Sequence, residues 1–281
     1  MSASPEPVSA GFIAELGAVV RGKLAVARTA VLYMGGLTRL IGLVLIAIPS
    51  MFTTVAGRMR FAAVRVQMVR VGVRSLSIVC LVQLFIGVIL ALNLAPTLEL
   101  YGQTEHVADV VGIAVLRELG PLITGVLISG YAGASIAAEL GSMVENEEIK
   151  ALRSLALDPV RFLIAPRVLA SAVMMTMLTI VADLMGVIGG LLTAWQVLNV
   201  PPRIYSELTQ TGISTTDYFT GVFKGAWFGV IIGALACFEG MRVQGGAEGV
   251  GRATTTTVVK SIVGLVLADT IFTSIFYTLG W

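Results

Sequence analysis

The chain has 281 residues, 56% hydrophobic and only 13% charged, with a net charge of +2 and a mean hydropathy of +0.91. A soluble domain carries about 25% charged residues, so this chain cannot clothe itself for water. A disordered chain and a nucleic-acid binder are excluded by the same arithmetic, which leaves an all-α polytopic membrane protein.

The N-terminus, MSASPEPVSAGF, lacks a basic stretch followed by an apolar one, so no cleaved signal peptide is expected. Phe12 to Leu32 interleaves Arg21, Lys23 and Arg28 with Phe12, Ile13, Leu16, Val19, Val20, Leu24 and Val26. That pattern predicts an amphipathic helix lying on an anionic leaflet. Leu40 to Ile48 is apolar but bounded by Arg39 and Pro49. About ten residues are too few to span, and an interfacial or re-entrant segment is expected. The rival is a further span over 30–56 carrying Arg39, a charge that costs at least ~2.5 kcal/mol at bilayer depth.

Five stretches of about 20 apolar residues read as spans: 75–95, 110–140, 168–197, 218–238 and 258–279. The chain thus divides into an N-terminal cytoplasmic or interfacial helical region, 1–70, and a membrane domain, 71–281. In the second span Pro121 follows Gly120 and predicts a kink. Arg21, Lys23, Arg28, Arg39, Arg58, Arg60, Arg65, Arg70 and Arg74 precede the first span. The next loop has no Lys or Arg before Arg117. The third carries Lys150, Arg153, Arg161 and Arg167, the fourth only Arg203, with Lys224 a turn or two into the span that follows, and the last Arg242, Arg252 and Lys260. This alternation predicts five spans with the N-terminus cytoplasmic. Small residues recur every four positions at Ser129, Gly133, Ala137 and Gly141, at Ala182, Gly186, Gly190 and Ala194, and at Gly221, Gly225, Gly229 and Gly233. Such stripes let helices approach closely and predict a tight bundle.

Chemistry is sparse. Cys80 and Cys237 lie in apolar runs, and His106 is the only histidine, so no metal site is expected. Glu118, Glu139, Asp183, Glu239 and Asp269 lie in or beside spans. No nucleophile–base pair accompanies them, so no catalytic residue is assigned. A proton relay through Asp183 and Asp269 would make a proton-coupled secondary transporter, but no internal repeat supports it. Gly245 to Thr254, GGAEGVGRAT, fails as a phosphate loop because Arg252 and Ala253 follow Gly251. It reads as a flexible cytoplasmic loop. Between Glu145 and Pro166 a helix is expected through Leu157, ended by Asp158-Pro159. Ile149, Leu152 and Leu155 or Ala156 share one face, which suits either a groove on a cytoplasmic partner or the headgroup layer.

Several motifs resemble a known family: RELGPLITGVLISGYAGASIAAELGSM (117–143), NEEIKALRSLALDP (146–159), PRVLA (166–170) and GGAEGVGRATTTTVV (245–259). They are similar to the MlaE/YrbE permeases, the membrane subunits of bacterial ABC transporters that work with mammalian-cell-entry (MCE) proteins. The resemblance runs from about Val71 to the C-terminus. It implies an inner-membrane permease, a homodimer or pseudo-dimer, that moves phospholipid between the inner membrane and the outer envelope. It further implies an N-terminal interfacial helix with five spans per protomer, a cytoplasmic ATPase that carries ATP and Mg, an MCE protein on the outer side, and no cofactor on this chain.

By resemblance the coupling helix holds Glu145, Glu147, Glu148, Ile149, Leu152, Leu155 and Asp158, and docks on the ATPase. By resemblance too, the lipid cavity is lined by Leu90, Asn93, Thr97, Leu98, Tyr101, Arg117 and Glu118. Arg117 either meets a phosphate bidentately or pairs with Glu118 or with an acid across the dimer. The family commonly has Gln at Asn93, Arg at Tyr131, and Gln-Ile-Asp at Glu148-Ile149-Lys150.

Overall fold

The computed structural model describes residue 28 and residues 31–49 and 55–280, with side chains from residue 62 in the last stretch. The amphipathic helix expected over 12–32 lies, apart from residue 28 and its last two residues, outside the described residues. The chain divides into two units, 1–43 and 44–281. Every regular element described is helical, and six helical stretches are long and apolar enough to cross a membrane.

The first of these is α1, Val31–Pro49, 19 residues with a mean hydropathy of 2.0. Here the expected ten-residue segment is too short. The helix runs unbroken through Arg39 and gathers Val31, Leu32, Tyr33, Met34 and Leu37. At 1.5 Å per residue it measures about 28 Å, close to the hydrocarbon thickness. A single arginine is a cost of insertion and does not break a helix.

The remaining elements belong to the second unit. Helix α2 (Val55–Val71) passes through a short 3₁₀ turn into α3 (Leu76–Leu100), which continues through Pro96 past the expected end at residue 95. Helices α4 (Val107–Ala114), α5 (Gly120–Ile128) and α6 (Ala134–Glu145) form one helical course, interrupted by π-helical turns at Val115–Leu119 and Ser129–Gly133. The short α7 is Glu148–Ser154, and a third π turn, Val160–Ile164, leads into α8 (Ala165–Gln196). Then come α9 (Pro202–Gly212), α10 (Thr215–Gly240) and α11 (Gly246–Thr278).

The run read as a flexible loop, Gly245 to Thr254, is instead mostly the first turns of α11. Gly245 and Gly246 take positive φ (+97° and +66°), and the helix then packs its small residues inward, with Gly249 and Ala253 buried. Glycine supplies the left-handed entry at no steric cost.

Helix α8 is the hub of this unit, packing against α2, α3, α4, α5, α9 and α10. All three small-residue stripes are buried, so intrachain packing absorbs them. At Gly87 of α3 a Cβ would collide with the backbone of Gly186 in α8, and only bare backbone lets the two helices sit this close.

The kink expected at Pro121 is realised as the π turn ending at Leu119. Fully buried Gln83 of α3 donates Nε2 to the carbonyls of Leu119 and Gly120, both at 3.1 Å. A side chain thus satisfies backbone that the irregular turn has loosened at membrane depth. On the far side of the hub, Tyr205 anchors α9 by donating its hydroxyl to the Val187 carbonyl at 3.3 Å. Burial pushes the Tyr205 phenol above its ordinary pKa.

Candidate functional site

The first π turn carries Arg117 and Glu118, and helices α10 and α11 supply their partners. The sequence Ser214-Thr-Thr-Asp217 closes a capping box at the start of α10. Ser214 N and Oγ donate to Asp217 Oδ2 at 2.8 and 2.9 Å, and Asp217 N donates back to Ser214 Oγ at 3.2 Å. The other carboxylate oxygen of Asp217 accepts from Arg117 Nε.

Two turns further along α10, Lys224 is 1% exposed. Its Nζ donates to Glu118 Oε2 at 2.7 Å and to Thr273 Oγ1 at 2.8 Å, and pairs with Asp269 Oδ1 at 2.9 Å. Thr273 in turn donates to Glu118 Oε1 at 3.0 Å. A buried ammonium costs several kcal/mol unless its donors are all engaged, and here three acceptors surround it.

This cluster floors a recess between α10 and α11. A small cavity of about 90 Å³ is lined by Arg117, Glu118, Thr220, Lys224, Thr273, Phe276 and Tyr277. It shares Thr220 and Phe276 with an apolar pocket of about 480 Å³, lined also by Thr215, Thr216, Phe219 and Phe223. Phe223 meets Phe272 and Phe276 edge-on, with ring centroids 5.6 and 6.0 Å apart. On the other side, Glu118 and Asp269 border a wider opening of about 570 Å³ with five hydroxyl side chains. Charged floor and apolar wall adjoin, as a site for an amphiphile requires.

Of the seven residues expected at a lipid cavity, Arg117 and Glu118 line this recess. Leu90 and Leu98 pack instead against buried Ala91, Val107, Val111, Val115 and Leu116. Asn93, Thr97 and Tyr101 are exposed, and Asn93 Nδ2 donates to Ile89 O in its own helix at 2.8 Å. Among the described residues Arg117 pairs with Asp217 and not with Glu118. Asp217 went unflagged, although its Ser-x-x-Asp capping signature is visible in the sequence.

The two acids of the proton-relay alternative occupy different surroundings. Asp269 rests on Lys224. Asp183 is buried against Gly120, where a Cβ would strike its carboxylate, and neither of its oxygens accepts a hydrogen bond from the described residues. They share no side-chain partner among the described residues.

At the other end, helix α7 is shorter than the expected 145–157. Residues Glu147 and Ala156 punctuate it with φ of +60° and +59°. Leu157 N bonds Leu152 O and Ala156 N bonds Arg153 O, both at 3.0 Å, a Schellman closure with alanine in the place of the usual glycine. Among the expected coupling residues, Ile149 turns inward and Leu152 is half-buried. Leu155 is 70% exposed, and Glu145, Glu147, Glu148 and Asp158 are exposed. The Lys150 hydrogen bond and charge hold the Glu147 carboxyl below the usual range.

A family model, Permease MlaE, matches residues 64–275. This chain belongs to the MlaE permease family. It is 35% identical over 211 residues to a probable ABC transporter permease protein of Rickettsia prowazekii, covering 75% of this chain and 82% of that one. It is 34% identical over 224 residues to the intermembrane phospholipid transport system permease protein MlaE of Haemophilus influenzae, covering 79% and 86%. It is also similar to the chloroplastic TRIGALACTOSYLDIACYLGLYCEROL 1 protein of Arabidopsis thaliana, at 33% identity over 75% of this chain and 60% of that protein. The MlaE match spans the second half of α2 through most of α11, so the whole ion-pair cluster falls inside it.

Proposed function

We propose that this MlaE-family chain is the inner-membrane permease of an ABC transporter that moves phospholipid. The single observation that carries the reading is the amphipathic recess between α10 and α11. Arg117 spends Nε on Asp217 and lines the cavity together with Thr273 and Tyr277. The apolar pocket at Phe219 and Phe223 takes an acyl chain. The charges on the floor total two cations against three carboxylates, so Arg117 is bound to local acids and contributes direction more than net attraction.

ATP hydrolysis falls to a separate cytoplasmic ATPase, which holds ATP and Mg. Leu155, Leu157 and Phe162, all 40% exposed or more around α7, offer it an apolar contact. A second permease protomer and an MCE protein on the outer side complete the assembly.

The test uses a phospholipid with a photo-reactive acyl chain, added to the protein in its native membrane. Label should concentrate on α10 around 219–223 and on α11 around 273–277. Labelling confined to other helices would overturn the site.

A further inference from the structure

At the opposite end of the span that carries Arg117, a second polar cavity of about 380 Å³ opens between α2 and α6. Its charged and hydroxyl lining is Arg70, Arg74, Tyr131, Ser135 and Glu139. Glu139 is the one acid in this lining, and both of its oxygens already accept from arginine. Its Oε2 accepts from Arg70 Nη1, and its Oε1 accepts from Arg167 Nη2 at 2.8 Å. Arg167 is buried and also donates to the Leu163 carbonyl at 2.9 Å, which fixes the carboxylate from behind.

The remaining donors point to an acceptor that this chain does not supply. The Arg74 guanidinium, the Tyr131 hydroxyl and the Ser135 hydroxyl make no hydrogen bond among the described residues, and all three side chains are exposed. Three arginines face one carboxylate, so the locus carries a charge of about +2. Tyr131 is set into the cavity wall by the second π turn, Ser129–Gly133, which displaces it from an ordinary helical register.

Depth narrows the choice of ligand. Arg74 directly precedes α3, Glu139 lies six residues before the end of α6, and Arg167 stands in the first turn of α8. All adjoin the segment bearing Lys150, Arg153 and Arg161, the basic side of the membrane. At that level the anions at hand are lipid phosphates, and a planar guanidinium matches a phosphate's oxygens two at a time.

We propose that this cavity binds the phosphate of an anionic phospholipid in the cytoplasmic leaflet, held by Arg74, Tyr131 and Ser135 with Arg70 behind them. The site lies about 22 residues along the helix from the α10–α11 recess and does not depend on it.

Native mass spectrometry of the full chain, with phosphatidylglycerol or phosphatidylcholine added, reads it directly. In Arg74→Gln the phosphatidylglycerol adduct should fall by about tenfold, the loss expected for charged hydrogen bonds, with the phosphatidylcholine adduct unchanged. Arg74 pairs with no described residue, so the variant should keep the wild-type melting temperature. Should it fail to fold, the double variant Tyr131→Phe, Ser135→Ala reads the same adduct and should lower it in the same direction. Millimolar inorganic phosphate should leave the lipid bound. Undiminished phosphatidylglycerol in the folded variants would overturn the site, and displacement by inorganic phosphate would overturn its assignment to lipid.

Discussion

Lys224 is a fully buried cation that holds two carboxylates, Glu118 and Asp269, from different helices. Its value follows from what removing it leaves behind. Lys224→Met strands two acids on one side of the recess, and breaking a buried pair in this way costs about 3–5 kcal/mol. We expect the melting temperature in detergent to drop sharply. Adding Glu118→Gln and Asp269→Asn should restore most of it, because the neutral triple variant leaves no uncompensated charge. A single variant as stable as wild type would show that the cluster is not coupled. Part of this site was legible in the sequence. Arg117 and Glu118 stood out because charges beside Gly120-Pro121 in an apolar run are rare. Lys224 was visible only as a basic residue in the fourth span, since its partners lie 106 and 45 positions away and nothing local signals a pairing at that distance.

At the scale of elements, the five expected spans appear with most of their ends displaced outward, and the sixth candidate is the instructive case. Apolar counting stopped at Arg39, whereas a helix tolerates one arginine and α1 continues to Val31. The loop read at Gly245–Thr254 failed for a related reason. Glycine-rich sequence signals flexibility in isolation, while in a membrane bundle it signals close packing, as the buried Gly249 shows. The course of α1 relative to the membrane follows from its flanks. Arg21, Lys23 and Arg28 precede it, and Arg58, Arg60, Arg65, Arg70 and Arg74 follow. Basic residues on both sides favour both ends on the cytoplasmic face, which an interfacial course of this unbroken helix satisfies and a single crossing does not. Single cysteines at positions 20 and 150 should therefore react with an impermeant thiol reagent only after the cytoplasmic side is opened, and one at position 103 without opening it. Labelling of position 20 from the outside would make α1 a sixth span.

For the whole molecule, the family and the all-helical architecture could be read in advance, because motifs such as RELGP and the GGAEGVGRATTTTVV run carry both packing and identity. The recess could not, because it is assembled from α10 and α11, which were read mainly for their glycines and hydropathy. It places a charged floor beside an apolar pocket, and the proposed function draws its energy from a separate ATPase. ATP-dependent phospholipid transfer in proteoliposomes holding this chain with its proposed ABC ATPase tests that claim most directly. We predict transfer that requires both the ATPase and ATP and is unaffected by collapsing the proton gradient. Transfer by this chain without the ATPase, driven by a proton gradient, would contradict it.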